Sequence, residues 1–284
     1  MSARRFDTLA DIERHEDAGY GRGDGSGYVP WLKVKDVPVG RGHIVWSQLC
    51  QREHHLLNDL QYRYFLIRLH LARLSDIQET KPIPLVRSLS ICKALGLKHP
   101  TRPRSATPDV LTTSFLLSVR AADGSLSLEP RSVLYEKGFA NSGGAPTLER
   151  EEIKRVYWAQ EGLELKLVTE KQIDRVVANN LETLVQALQV PAAREDGHGL
   201  VAFGAAARDV DWTCSPVAPT VRQIARKLNI PFPHAMNLLK LLIWNRAMRF
   251  DLSKGSFHTT DPLWEQPTFT AIAAESSGPV RSAA

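Results

Sequence analysis

Leu111-Thr112-Thr113-Ser114-Phe115-Leu116-Leu117-Ser118-Val119-Arg120, then the turn pair Asp123-Gly124, then Leu126 to Leu134, is the stretch that decides the fold. Its Thr, Phe, Leu and Val content predicts a buried strand, and the Asp-Gly pair turns the chain back into a second strand. Upstream, Leu57, Leu60, Tyr64, Leu66 and Leu69 recur at helical spacing. They predict an amphipathic helix over 56–71, with Asp59 near its N-terminus, where the helix dipole favours an anion. Residues 75–86 suit an extended strand and turn, and Ser88 to Leu95 a short helix closed by Gly96. Downstream, Leu148 to Gln160 predicts a helix with Glu149, Glu151 and Glu152 near its start, and Leu163, Leu165 and Leu167 alternate as in a strand. The expectation is one mixed α/β domain over 29–169.

After Thr169 the pattern turns mostly helical. Residues 173–188 are apolar-periodic, and 190–219 are less regular, with Gly197, Gly199 and Gly204. Val221, Ile224, Ala225 and Leu228 place apolar groups on one helix face, Asn229 to Pro233 is a turn, and His234 to Arg246 is a second helix. Met248, Phe250 and Leu252 then alternate. Helix, tight turn, helix and strand is the outline of a winged helix-turn-helix over 170–270. The glycine-rich start, 1–28, and residues 271–284 carry few apolar groups and are expected to be a flexible arm and a flexible tail.

The chain has 284 residues, 43% hydrophobic and 24% charged, an ordinary composition for a soluble protein of about two domains. No run approaches the ~18 apolar residues of a membrane span, and the start has no apolar core of a signal peptide. A cytoplasmic protein with no membrane partner is expected. Lys and Arg exceed Asp and Glu by 36 to 31, which permits a polyanionic partner without demanding one. Cys50, Cys92 and Cys214 have neither disulfide-framework nor Cys-x-x-Cys spacing and are expected to be reduced thiols. Trp31, Trp158 and Trp244 are expected core anchors. His54 and His55, lying before a helix, read as a capping or surface feature.

A set of ordered words then carries a resemblance. Gly27-Tyr28-Val29-Pro30-Trp31-Leu32, Val37-Pro38 and Gly40-Arg41-Gly42-His43 begin it. His54 to Leu60, Tyr64-Phe65, Asp76-Ile77-Gln78-Glu79, His99-Pro100 and Thr112 to Leu117 continue it. Glu152 to Trp158, Val168-Thr169-Glu170 and Asn245 to Asp251 complete it. Together, across residues 28–262, these resemble the TnsA family, the endonuclease subunit of heteromeric transposases. The resemblance implies a restriction-endonuclease-like N-terminal domain of the PD-(D/E)XK type followed by a helical winged-helix domain. It implies cleavage of the 5′ strand at transposon-end DNA, beside a TnsB-like transposase that cuts the 3′ strand and a TnsC-like AAA+ ATPase.

A nuclease of this kind needs carboxylates to hold Mg²⁺ and a lysine beside the attacking water. In the family pattern a Glu lies on the first helix, an Asp on the first hairpin strand and a Lys at the end of the next. The resemblance puts Gln61, Ser114 and Leu134 at those places, all without charge. Glu79 and Glu152 also fit family positions, as a supporting group and an auxiliary ligand. Glu129, Glu136 and Lys137 lie near Leu134, and a migrated site using Glu129 and Lys137 is the alternative. A ligand displaced along a strand moves by about 3.3 Å per residue, more than a metal site tolerates without remodelling. Arg222, Arg226, Lys227, Lys240, Arg246 and Arg249 form a basic C-terminal set suited to phosphate contact or to solvent. The expected protein is therefore a nuclease-inactive, DNA- and partner-binding scaffold with no resident cofactor. The competing readings are an active Mg²⁺-dependent endonuclease and, more distantly, a transcription regulator.

Overall fold

The computed structural model describes residues 6–37, 40–71, 73–102, 106–121, 123–139 and 144–270. The chain divides into two compact units, Met1–Ile173 and Asp174–Ala284. The sequence reading places its division four residues earlier, between 169 and 170.

The first unit is built on a four-stranded sheet in the order β3 (Leu74–Pro82), β4 (Thr112–Arg120), β5 (Leu126–Val133) and β6 (Lys166–Val168). The β3–β4 and β4–β5 pairs are antiparallel and β5–β6 is parallel. β4 lies inside the sheet, and Thr113 to Leu117 are buried in succession. That explains an unbroken apolar run where a half-exposed strand would alternate. Gly124 takes φ +86° in the β4–β5 turn, and Asp123 Oδ1 accepts from the Ser125 amide at 2.9 Å. α2 (Asp59–Leu71) lays Tyr64 and Phe65 against Phe115. α3 (Leu85–Leu95) ends at Gly96 in the left-handed region and packs with α4 (Ala145–Gln160) around Ile83, Ile91, Cys92, Leu111 and Ile153.

Two parts of this unit differ from the sequence expectation. β1 (His43–Ser47) and β2 (Arg52–Leu56) form an antiparallel hairpin, so His54 and His55 lie in a strand and not at a helix cap. Residues 6–28 are ordered, not a flexible arm. They contain α1 (Leu9–Asp17), capped by Thr8 and Asp11, and they bury Phe6 and Ile12 against Trp31. Gly21 and Gly23 serve close packing. At Gly21, φ +75°, a Cβ would lie 2.3 Å from Pro82. Residues 271–284, expected as a tail, lie outside the described residues.

The second unit is helical: α5 (Arg175–Leu184), a 3₁₀ turn (Val185–Gln189), α6 (Pro191–Arg194), α7 (Gly197–Arg208), α8 (Val217–Leu228) and α9 (Phe232–Trp244). α7 occupies the stretch expected to be irregular. Asp196 caps it, accepting from the Gly199 amide at 2.8 Å, and Phe203, Gly204 and Ala207 form its buried stripe. Asn229, at φ 54°, closes α8 and starts the turn into α9. β7 (Met248–Arg249) and β8 (Thr268–Phe269) form a short antiparallel ribbon. Buried Asn180 of α5 donates to the carbonyls of Leu252 and Gly255 and accepts from the Phe257 amide, anchoring the intervening loop. Trp31, Trp158 and Trp244 are buried, as expected, and so is Trp212. Cys50, Cys92 and Cys214 are free thiols. Among the described residues no helix is long and apolar enough to cross a membrane.

Candidate functional site

Ser114 and Leu134 meet at one end of the β4–β5 pair. The last ladder pair there is Phe115 with Arg131, and one step beyond it Ser114 stands opposite Ser132. The Ser114 hydroxyl accepts from the Val133 amide at 2.9 Å, so it serves the ladder. Leu134 is half-buried and its amide donates to the Val168 carbonyl at 3.1 Å, tying β5 to β6. Gln61 sits in the first turn of α2 and is buried. Its Oε1 accepts from the Leu57 amide at 3.0 Å, while Asn58 Oδ1 accepts from the Gln61 amide at 2.9 Å. This reciprocal pair caps α2. Gln61 shares no hydrogen bond with Ser114 or Leu134 among the described residues.

Ser132 belongs to the same constellation and escaped the sequence reading. It is fully buried and its hydroxyl has no hydrogen-bond partner. The (D/E)-x-K spacing that the resemblance implies was the available signal, because Ser132 precedes Leu134 by two.

The acids near these positions are engaged elsewhere. Glu79 is 1% exposed and forms the centre of a buried network. Its Oε1 accepts from Arg52 Nη1 at 2.9 Å and the His55 amide at 3.0 Å. Its Oε2 accepts from Arg52 Nη2 at 2.7 Å and pairs with His54 Nδ1 at 2.9 Å. Arg52 also donates to the carbonyls of Gly25 and Ile77, and the Tyr28 hydroxyl donates to the Glu79 carbonyl. Burial pushes the Glu79 carboxyl up, but the Arg52 and His54 hydrogen bonds and charges outweigh it and hold its pKa at about 2. Two partners on each oxygen leave no capacity for a metal ion.

Glu152 faces solvent on α4 in a bidentate pair with Arg155, whose hydrogen bonds lower its pKa. Glu129 is paired with Arg68 and Arg131, Glu136 with Lys171, and Lys137 is exposed over the Tyr135 ring. Among the described residues no hydrogen bond or ion pair joins Glu129 to Lys137. Among the described residues no group of three or more His, Cys, Asp or Glu side chains could hold a metal ion. The residues at the family positions do not fit Mg²⁺, which prefers carboxylate oxygens.

The basic set of the second unit divides by exposure. Arg222, Arg226 and Lys227 are exposed on α8, opposite its buried stripe Val217, Val221, Ile224 and Ala225. Arg222 lies 4.7 Å over the Phe232 ring. Lys240 is half-buried on α9, donates to Gln186, and has its pKa lowered by burial. Arg246, at φ 59°, and Arg249 flank β7 and are exposed. α9 itself packs against α5, α6, α7 and α8 and buries Leu238, Leu239 and Leu241 to Trp244.

The chain is 33% identical over 179 residues to the transposon Tn7 transposition protein TnsA of Escherichia coli. The match spans 61% of the chain and 61% of the relative, so it covers about three fifths of the length of that protein. No family model matches the chain. The mixed α/β unit with its mostly antiparallel sheet is compatible with a nuclease-like fold. Gln61 lies on α2, Ser114 on β4, and Leu134 directly after β5.

Proposed function

We propose that this TnsA relative is a subunit of a DNA transposition complex that has lost 5′-strand cleavage and acts as a scaffold. It would act in the cytoplasm, binding transposon-end DNA, a TnsB-like transposase and a TnsC-like ATPase. One observation carries the inactive reading. The polar groups at the family's catalytic places serve backbone amides, Gln61 on Leu57 and Ser114 on Val133, and among the described residues no metal-binding carboxylate cluster stands beside them. The restriction-endonuclease-like reading of the first unit rests on the order of α2, the three antiparallel strands, α4 and the parallel β6. The winged-helix reading of the second rests on α8, the Asn229 turn, α9 and the β7–β8 ribbon. Because α9 is enclosed, α8 is the helix that would present cations to phosphate. The set Arg222, Arg226 and Lys227, with Arg246 and Arg249 near the ribbon, supports that orientation, and Lys240 supports it least.

Product analysis tests the whole reading. A transposase that cuts only 3′ strands leaves the element joined to donor DNA, and replication then yields a cointegrate. Long-read sequencing of insertions should show mainly cointegrates with the wild-type gene present, and fewer insertions when the gene is deleted. Simple insertions that turn into cointegrates only on deletion would show active cleavage and remove the scaffold reading. Nicking of supercoiled plasmid in Mg²⁺ or Mn²⁺, abolished by Glu129→Ala or Lys137→Ala, would establish the migrated site instead.

A further inference from the structure

From Thr80 to Pro108 the chain contains no Asp or Glu, while it carries Lys81, Arg87, Lys93, Lys98, Arg102 and Arg104. α3 lies within this stretch. Its packed side, Ser88, Ile91 and Cys92, faces the α4 cluster. The opposite side carries Val86, Leu89, Ser90 and Lys93 at the i, i+3, i+4 and i+7 spacing of one helical stripe. Val86 is 73% exposed and Leu89 39% exposed, two apolar side chains left open to solvent on the stripe that ends at Lys93. Arg87 is engaged by Tyr157, Gln160 and Glu161, and Arg102 by Asp109. Lys93 and Lys98 are exposed and make no ion pair among the described residues. The acids that act on α3 are Glu161, just past the end of α4, on Arg87, and Glu149 of α4 beside Cys92.

We infer that the Val86–Leu89–Lys93 face of α3 docks an acidic, apolar segment of a partner protein. Two properties select that occupant. An acid-free face with unpaired lysines attracts negative charge and disfavours a basic partner. The exposed valine and leucine gain only from burying apolar surface, which a phosphate backbone does not offer and an amphipathic acidic helix does. The face lies in the first unit and the inference holds whether or not the cleavage chemistry is lost.

The test uses the full-length chain and three labelled probes: an amphipathic peptide with leucines on one face and glutamates on the other, the same peptide with lysines for glutamates, and a duplex DNA. By fluorescence anisotropy the glutamate peptide should bind at least about tenfold more tightly than the lysine peptide. Lys93→Glu with Lys98→Glu should reverse that preference. Val86→Ser with Leu89→Ser should weaken the glutamate peptide by about fivefold or more and leave duplex binding unchanged. All four side chains are exposed, and circular dichroism verifies that each variant is folded. Equal affinity for the two peptides would overturn the inference. So would loss of duplex binding in the Lys93→Glu, Lys98→Glu variant with no effect of Val86→Ser, Leu89→Ser on peptide, which would make the face a phosphate contact.

Discussion

At the residue scale the decisive group is Glu79. A carboxylate at a family position invites a metal-supporting role, yet Arg52, His54 and the His55 amide occupy both of its oxygens. Its work is to hold β2 and the 24–28 segment onto β3. Removing the charge by Glu79→Gln leaves Arg52 buried without its counterion, a loss expected at about 3–5 kcal/mol. Urea denaturation should show that loss. The same network makes stability acid-sensitive. The folded pKa of about 2 lies below the ordinary carboxylate value of 4.5. The contribution is thus full above pH 5 and is lost as pH falls toward 2, on the order of 3 kcal/mol in all. Denaturation midpoints measured from pH 6 to pH 2 should fall in wild type, and fall less in Glu79→Gln. A flat wild-type profile would mean that the network does not depress this pKa.

At the scale of the element, α8 and α9 show how one outline distributes its roles. α8 is two-faced, with Val217, Val221 and Ile224 inward and Arg222, Arg226 and Lys227 outward. α9 is apolar around most of its circumference, since four other helices cover it. If α8 meets phosphate, Arg222→Ala with Lys227→Ala should weaken DNA binding equally for all sequences and reduce the salt slope by about two. Lys240→Ala should do less, because its ammonium is half-buried against Gln186. Anisotropy titrations at several salt concentrations read both. An unchanged salt slope in the double variant would leave those cations merely solvated.

At the scale of the whole molecule, the proposed loss of cleavage predicts that charge returned to three positions restores it without disturbing the fold. Glu at 61 can still accept from the Leu57 amide, and Asp at 114 can still accept from the Val133 amide. Leu134 is half-buried, so a lysine there can extend its ammonium past the sheet end. The triple variant Gln61→Glu, Ser114→Asp, Leu134→Lys should therefore nick supercoiled plasmid in Mg²⁺ while the wild type and each single variant do not. Gel analysis of open-circle product measures it. A folded but inert triple variant would show that these three positions do not converge, or that Ser132 must also be replaced by an acid.

What the sequence determined by itself was local and serial. Apolar spacing placed α2, α3, α4, α8 and α9 and strands β3 to β6, because helix and strand periods are written in neighbouring residues. The ordered words from Tyr28 to Asp251 carried the resemblance, and the uncharged residues at 61, 114 and 134 were visible in the letters. What only the tertiary structure decided was set by partners far apart in the chain. Residues 6–28 read as a loose glycine-rich arm, but Asp24 Oδ1 accepts from Gln78, Arg52 reaches Gly25, and Phe6 packs on Trp31. Their order comes from groups 25 to 54 residues away, which no window of local composition contains. The β1–β2 hairpin was hidden for the same reason. Arg52 and His54 face inward in a polar-looking strand because Glu79 of β3 pairs with both. Burial of charge depends on that remote pairing, so the fate of Glu79 could be settled only where the chain brings the partners together.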